Sequence, residues 1–370
     1  MKKLLGVFAM TSLILAVMPA VFAVSTGTGI GVDITTEDFA PLVWMCDHRY
    51  VYDDATEPGR ISYDGEILWE RINNYAFEGE QIHWLVLVMD KNKIDQNIDV
   101  FATIGDSQGE GNDIEVNCKR VGYQDEKTFE SCNARILEEK VKWDPDSDLM
   151  DFFDCTLTVE TPESMYGEYW VTVEALDGDG LSGTMDENEY WFFNPVVALS
   201  VDGTLTFEDV RPGVQAYSDT ILVGNDADDG SGVMLDMFIS GTDFYDSSSS
   251  GARCPTTNQL SLSAFRYFAT NGAYNSAGDD LVGARGPGAA DNRAMDNEGY
   301  VNIGYGIGFN DPYPFYNGYE ILQDQKVGPY YTANLLAPGA EMALTFKLNL
   351  PEPCNGDFDT GAIYFWGEAV

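Results

Sequence analysis

Acidic side chains gather in two turn-like segments, where their oxygens could bind a divalent cation. The first segment covers residues 177–188 and the second covers residues 226–229. Calcium takes about six to eight oxygen ligands and is often bound by acidic loops of this kind. Calcium is therefore our candidate ligand, but neither segment has EF-hand spacing, and a solvated acidic turn without metal stays open as the alternative. The candidate calcium ligands are Asp177, Asp179, Asp186, Glu187, Asp226, Asp228 and Asp229.

Histidine is scarce, which limits the chemistry the chain could perform. Only His48 and His83 are present, so there is little choice of catalytic base or of transition-metal ligand. His83 falls in an alternating apolar run, which predicts one face of a strand rather than a ligand. Carboxylates are so frequent that their pairing identifies no glycosidase site. We therefore predict no catalytic residue and no enzyme, with a secreted hydrolase as the weakest alternative.

The formal net charge is −41, from 61 acidic and 20 basic residues. Such a charge repels nucleic acids and anionic membrane surfaces, which excludes both as partners, and it attracts cations. Acids spread over a solvated surface explain most of this charge. With 44% hydrophobic and 13% aromatic residues, the chain has enough apolar material for folded cores, so disorder is not predicted.

The first residues predict export. Lys2 and Lys3 precede an almost wholly apolar run, and Ala23 stands at a position typical of signal-peptidase cleavage. We predict a signal peptide at residues 1–23. A membrane anchor is less favoured, because the apolar run is shorter than the roughly 20 residues that span a bilayer. The mature chain is expected to be secreted and to act outside the cell or at its surface, without inserting into a membrane.

All six cysteines follow the predicted signal peptide, and an even number in an exported chain indicates disulfide bonds. None forms a C-x-x-C pair, which disfavours zinc and thioredoxin-type sites. The four cysteines before residue 195 allow three pairings, and we favour the one that closes a turn-rich stretch between two strand-like runs. The favoured pairs are Cys118–Cys132, Cys46–Cys155 and Cys254–Cys354.

Short apolar runs bounded by Gly, Asp, Asn or Pro recur along the chain and predict strand after strand. The run at residues 82–88 is apolar on both faces, which predicts a central strand. Pro195 cannot donate to a strand ladder, so Asn194-Pro195 is predicted to separate two domains. We predict an all-β fold with two tandem Ig-like antiparallel β-sandwich domains, residues 24–194 and 195–370, the second with a long decorated loop region at residues 247–299.

Four segments carry a resemblance to a protein family. They are residues 190–195 (YWFFNP), the Pro-Gly strand pattern from Leu205 to Asn225, residues 239–245 (ISGTDFY) and residues 361–369 (GAIYFWGEA). In them the chain resembles archaeal-type secreted cell-surface proteins, including surface-layer-like chains built from Ig-like domains. The resemblance covers mainly residues 190–370. It implies a structural role at the cell surface and brings no catalytic residues with it.

These observations favour a non-enzymatic structural or interaction protein of the cell surface. We expect it to self-associate, with bridging calcium turning acidic faces from repulsive to attractive, or to bind other cell-surface proteins. The main alternative is an adhesin or carbohydrate-binding protein that holds glycans on exposed aromatic rings. The aromatic residues that could do so are Tyr313, Phe315, Tyr316, Tyr319, Tyr330 and Tyr331.

Overall fold

The computed structural model describes the chain in eleven ranges. They are residues 30–53, 67–68, 71–94, 98–107, 114–122, 149–185, 190–248, 251–278, 295–306, 319–328 and 330–370, without the side chains of 46–48. The predicted signal peptide lies outside them. Within these ranges the chain is all-β, as predicted: it has strands, single 3-10 turns at Leu262–Ala264 and Thr332–Asn334, and no α-helix. None of the helical segments in these ranges is long and apolar enough to cross a membrane.

The chain divides into two compact units, residues 1–38 and 39–370. In the first unit, the described residues 30–38 belong to no strand and are exposed. Ile30 is 91% exposed, Val32 75% and Ile34 78%. Three large apolar side chains at alternating positions are therefore in contact with water.

The second unit begins with a nine-stranded sheet, counted over the described residues. Its strand order is β1-β3-β6-β5-β4-β7-β9-β2, with β8 paired to β7. All neighbours are antiparallel except β2 and β9, which are parallel. In chain order, β1 to β9 are Leu42–Tyr52, Tyr75–Ala76, Gln81–Met89, Asp99–Gly105, Ile114–Arg120, Met150–Thr158, Gly167–Leu176, Ser182–Met185 and Tyr190–Phe193.

The strand β3 is central in this sheet, as its sequence predicted. Trp84 and Val86 face one apolar core, while Leu85 and Leu87 face a smaller one on the opposite side. Side chains of β3, β4 and β7 share the larger core, so the sheet folds over on itself. His83 is half-buried on β3, directly before Trp84, and its Nδ1 is 3.3 Å from Asp154 Oδ1.

The rest of the second unit contains two larger sheets and two small ribbons, counted over the described residues. A seven-stranded sheet has the order β10-β12-β24-β16-β17, with β11 paired to β24 and β18 paired to β16. In chain order, β10 to β18 are Leu199–Asp202, Gln215–Tyr217, Ile221–Asn225, Leu235–Gly241, Phe244–Tyr245, Gln259–Leu260, Phe265–Asn271, Tyr274–Asn275 and Val301–Asn302. The remaining strands, β19 to β25, are Gly304–Tyr305, Tyr319–Glu320, Lys326–Val327, Tyr330–Tyr331, Leu335–Leu336, Glu341–Asn349 and Ile363–Ala369.

A five-stranded sheet is built around β13. β25 pairs with β13 along its whole length, whereas β19, β20 and β23 each pair with two of its residues. Because a strand has only two edges, the three short strands share the edge opposite β25. Apolar residues of β13 and β24, including Met237 and Phe346, belong to one core that both sheets cover.

The prediction that residues 247–299 form a long decorated loop region is partly wrong. Within it the structure places β15, β16 and β17, and β16 pairs with β24 over six residues of the seven-stranded sheet. The cause is the alternation of Phe265, Tyr267 and Ala269, which are buried while their neighbours are half-buried. The surrounding Ser, Gly and Asn residues obscured this pattern.

The disulfide bonds correct one predicted pairing and confirm another. Cys118 bonds to Cys155, not to Cys132, because antiparallel β5 and β6 place Cys118 directly opposite Cys155. The favoured Cys46–Cys155 pair is therefore wrong as well. Cys254 bonds to Cys354 across a separation of 100 residues, as predicted. Cys132 and the side chain of Cys46 lie outside the described part of the chain, so a third bridge stays a prediction.

Candidate functional site

The first predicted calcium segment forms a turn between β7 and β8. Asp177 Oδ1 accepts hydrogen bonds from the backbone N–H groups of Asp179 (2.9 Å) and Leu181 (2.8 Å). The Asp177 carboxylate therefore stabilises its own turn. Asp186 and Glu187 lie outside the described residues.

The second predicted calcium segment follows β12 and connects two parts of the unit. Asp228 Oδ2 accepts hydrogen bonds from the Val196 N–H (2.8 Å) and the Tyr166 hydroxyl (2.9 Å). Asp228 thus joins the segment after Pro195 to the loop before β7. Asp226 and Asp229 flank it in the same turn. Over the described residues, no three His, Cys, Asp or Glu side chains come together in a way that could hold a metal ion.

The sequence also contains one motif that is typical of serine hydrolases. Residues 105–109 (GDSQG) match G-x-S-x-G, and the motif begins at Gly105, the last residue of β4. A nucleophile elbow needs a strand followed by a helix, with a histidine to activate the serine. Here β4 is followed by the antiparallel strand β5, and the Ser107 hydroxyl donates to Asp106 Oδ1 at 3.1 Å. This context does not match a hydrolase elbow.

A cavity of about 320 Å³ lies beside β1 and contains two arginines. The guanidinium of Arg71 donates to both carboxylate oxygens of Glu80, at 2.9 and 3.1 Å, and both side chains are buried. Arg71 also donates to the Tyr75 carbonyl at 2.7 Å. The buried positive charge of Arg71 is therefore paired with the carboxylate of Glu80. The lining residues are Arg49, Tyr50, Val51, Ile67, Leu68, Arg71, Ile72, Asn73, Asn74 and Trp191.

A buried lysine on β24 is held by two carboxylates. Lys347 Nζ donates to Asp296 Oδ2 at 2.9 Å and to Glu298 Oε2 at 2.5 Å. Burial alone would lower the pKa of Lys347, but the hydrogen bonds to Glu298 and Asp296 outweigh it and raise the pKa. The Tyr217 hydroxyl also donates to Glu298, at 2.8 Å. Lys347 therefore stays charged and anchors the segment before β18 to the sheet.

β25 is a seven-residue strand with one open side. It pairs with β13 in one continuous antiparallel register, from Ile363 opposite Gly241 to Ala369 opposite Leu235. Within the described ranges no other strand pairs with it. Counting only the described residues, the second side of β25 is therefore an open sheet edge, which is a template for pairing with another strand.

Two hydrogen bonds at the ends of this ladder show which backbone groups face outward. The Thr242 N–H donates to the Ala362 carbonyl (3.0 Å), and the Val370 N–H donates to the Met234 carbonyl (2.9 Å). Hydrogen-bonded pairs alternate in an antiparallel ladder, so even-numbered residues between 362 and 370 point their N–H and C=O groups toward β13. The groups that point to the open edge belong to Ile363, Phe365, Gly367 and Ala369.

The residues at this edge also carry apolar side chains that face the core. Ile363, Phe365 and Ala369 pack against the core but stay half-exposed, whereas Met237 and Ile239 on β13 are fully buried. The contrast arises because β25 has a neighbouring strand on one side only. An added strand would complete the cover of this side of the core.

The edge strand of the facing sheet meets β25 at the same place. Leu199 of β10 lies so close that a Cβ atom at Gly367 would be 3.4 Å from its Cδ1. The two sheets are therefore in contact at Gly367 and Leu199. Leu199 is half-buried and packs against the same core. The β25 edge, defined as the open side of residues 363–369, thus borders a strip of half-buried apolar groups.

Other outer strands in the described ranges are shorter or irregular. β1 is eleven residues long, but its register with β3 shifts between Met45 and Arg49. β10 has four residues and ends at Asp202. Short length, bulges and charge all protect an edge against pairing. β25 has a continuous register and carries Glu368 as its only charged residue.

A buried carboxyl lies next to β25 in the same sheet. Asp236 on β13 is opposite Glu368 and accepts a hydrogen bond from Asn334 Nδ2 at 2.6 Å. Burial is the main cause that raises the pKa of Asp236 to about 7; the Asn334 hydrogen bond lowers this pKa, and the charges of Glu320 and Glu368 raise it. Asp236 therefore changes its charge near neutral pH.

The aromatic residues of the adhesin alternative are only partly described. Tyr319 lies on β20, and Tyr330 and Tyr331 lie on β22; all three are half-buried. Lys326 Nζ is 5.3 Å from the centre of the Tyr331 ring. Tyr313, Phe315 and Tyr316 lie outside the described residues.

Comparison with known proteins adds little. No protein-family model and no curated protein matches the chain. One similar solved structure is described as "Chaperone-tip adhesin complex is vital for synergistic activation of CFA/I fimbriae biogenesis". The alignment covers 90% of this chain and 92% of that chain, with 7% identity and a TM-score of 0.22. A TM-score this low shows neither a shared fold nor a shared function.

Proposed function

We propose that this protein is a non-enzymatic structural or interaction protein of the cell surface, and that its copies associate through the β25 edge. The observation that supports this is an unbulged, seven-residue, mainly apolar strand paired on one side only among the described residues. Strand addition to such an edge provides main-chain hydrogen bonds for affinity and side-chain contacts for specificity.

The proposal includes the cellular setting that the sequence predicts. The predicted signal peptide would direct export and be removed after Ala23, and the Cys118–Cys155 and Cys254–Cys354 bridges suit an oxidising compartment. The strand groups before and after Pro195 would form the two Ig-like sandwiches. Support for this reading is that no ladder in the described ranges joins residues before 195 to residues after it.

The test is to measure self-association of the purified protein by sedimentation velocity over a concentration series. Ala369→Pro removes an N–H that faces the open edge, so the β13 ladder keeps its hydrogen bonds. We expect Ala369→Pro to weaken association by at least about tenfold, since it loses a hydrogen bond and adds a bulky ring at the contact. Ala369→Ser keeps the N–H and serves as the matched control.

Two outcomes would contradict the proposal. If Ala369→Pro retains the circular dichroism and the melting temperature of the natural chain and associates equally well, β25 is not the contact. If the natural chain is monomeric at every concentration and ionic strength, self-association is wrong. Adding calcium belongs to the same series, because copies with a net charge of −41 repel one another and bridging cations should strengthen their association.

A further inference from the structure

We infer that residues 30–36 of one copy add as a strand to the β25 edge of a second copy. This inference rests on the proposed function and names the segment that fills the edge. The segment reads Ile-Gly-Val-Asp-Ile-Thr-Thr, with apolar residues at alternating positions. Alternation of this kind gives a strand one apolar face and one polar face.

The exposure of the segment shows that this apolar face is not used within its own unit. Ile30, Val32 and Ile34 are 91%, 75% and 78% exposed. Three neighbouring large apolar side chains in water are unfavourable unless a partner covers them. The residues between them, Gly31, Asp33 and Thr35, are small or polar and suit a solvent-facing side.

The segment and the edge agree in length and in pattern. Residues 30–36 and residues 363–369 are both seven residues long. The core-facing positions of β25 are Ile363, Phe365 and Ala369, which stay half-exposed. A strand placed beside them with Ile30, Val32 and Ile34 on the core side would bury both sets of side chains. Neighbouring side chains on one face of a sheet stabilise such pairs.

The segment carries little charge compared with the chain as a whole. Residues 24–36 contain one acidic residue, Asp33, and no basic residue, although the chain as a whole carries −41. β25 likewise holds a single acidic residue, Glu368. Two nearly neutral strands can pair at little electrostatic cost, whereas most other faces of two copies repel each other. A second copy of the chain therefore supplies a suitable partner.

The donor segment and the acceptor edge are different parts of the chain, so the contact joins unlike surfaces. Unless two copies exchange segments with each other, the outer copies of a row keep one unused segment and one unused edge, and further copies can add. An edge-to-edge contact between two β25 strands would instead be symmetric and would stop at a dimer. This difference makes the two arrangements distinguishable.

The first experiment compares two variants with the same added charge on opposite faces of the segment. Val32→Asp places a carboxylate on the apolar face, and Thr35→Asp places one on the polar face. We expect Val32→Asp to weaken association by at least about tenfold, and Thr35→Asp to stay within about threefold of the natural chain. Equal weakening by both would mean that charge alone matters, and would overturn the inference.

The second experiment mixes two variants that fail for different reasons. Val32→Asp keeps a working edge, and Ala369→Pro keeps a working segment. At a concentration at which each variant alone is monomeric, an equimolar mixture should form a heterodimer and nothing longer, by sedimentation velocity and light scattering. A mixture that remains monomeric overturns the inference, because a head-to-tail contact must be restored.

The failures of this inference and of the proposed function are separable. If Ala369→Pro weakens association and Val32→Asp does not, the edge is a contact but residues 30–36 do not fill it. If neither variant weakens association, the β25 edge is wrong as well. If the natural chain stays monomeric while Val32→Asp alone lowers the melting temperature, the segment acts within its own chain, which also overturns the inference.

Discussion

Replacing Asp236 by asparagine should make the protein more stable at neutral and alkaline pH. Asp236 is buried on β13, and its neighbours include two acidic side chains, Glu320 and Glu368. Asn334 donates one hydrogen bond to Asp236 Oδ1. Asparagine keeps an oxygen that can accept this bond and removes the charge. The substitution therefore changes the ionisation with little change in shape.

The sign and size follow from the pKa of Asp236, which burial raises from 3.8 to about 7. The folded state binds this proton more tightly than the unfolded state, so stability falls as pH rises from about 4 to about 7 and stays low above that. At 1.36 kcal/mol for each pH unit, the loss is about 4 kcal/mol. We expect Asp236→Asn to recover up to that amount near pH 8 and less than about 1 kcal/mol near pH 4.

Urea unfolding of both chains at several pH values would measure this difference. Asp202→Asn, at an exposed position on β10, is the matched control and should show no such trend. The comparison cancels the titration of groups that do not interact with Asp236, because both chains share them. A stability gain from Asp236→Asn that is equal at pH 4 and pH 8 would refute the reasoning, since the charge would then not be what destabilises the sheet.

Three further expectations concern the bridges and the hydrogen-bonded anchors. Serine at both Cys254 and Cys354 should lower the free energy of unfolding by about 4.7 kcal/mol by the chain-entropy relation for a loop of 100 residues, as measured by denaturant unfolding; a loss below about 1 kcal/mol would contradict it. Asp228→Ala removes the acceptor of the Val196 N–H and should cost about 1–2 kcal/mol and speed proteolysis next to Pro195, with Asp229→Ala as control; unchanged cleavage would count against this anchor. The hydrogen bonds from Lys347 lower the pKa values of Asp296 and Glu298. The contribution of these bonds to folding stability is therefore present above the ordinary carboxyl pKa and is lost as pH falls. Lys347→Met should lower the melting temperature at neutral pH and have a smaller effect in acid, and the opposite trend would refute this stabilising role.

Much of the β architecture could be predicted where side chains alternate locally. β3 was recognisable because its apolar residues occupy both faces, and it is central. β1 was missed because Cys46, Asp47 and His48 interrupt its apolar pattern where the register with β3 shifts. A bulge disturbs the two-residue period, so the sequence no longer alternates. β16 was hidden by the Gly-rich and Ser-rich residues around it.

The features that define the candidate site are non-local, and this is why sequence could not supply them. Whether β25 is open depends on the strand order, since its own residues would look the same in a paired strand. The Cys118–Cys155 bridge depends on the register between β5 and β6. The acidic turns were recognisable, but the use of Asp228 as an acceptor for Val196 depends on how two distant segments meet. Oxygen-rich sequence alone does not distinguish a cation ligand from a turn-stabilising group.

The Cys254–Cys354 bridge limits how far β25 could travel if it ever detached. Only eight residues lie between Cys354 and Ile363, a span of at most about 32 Å when fully extended. If β25 detached from β13, it would therefore remain at a high local concentration near β13 and would pair with it again quickly. Without the bridge, the tether would lengthen to the thirteen residues between Asn349 at the end of β24 and Ile363, so a detached β25 would return more slowly.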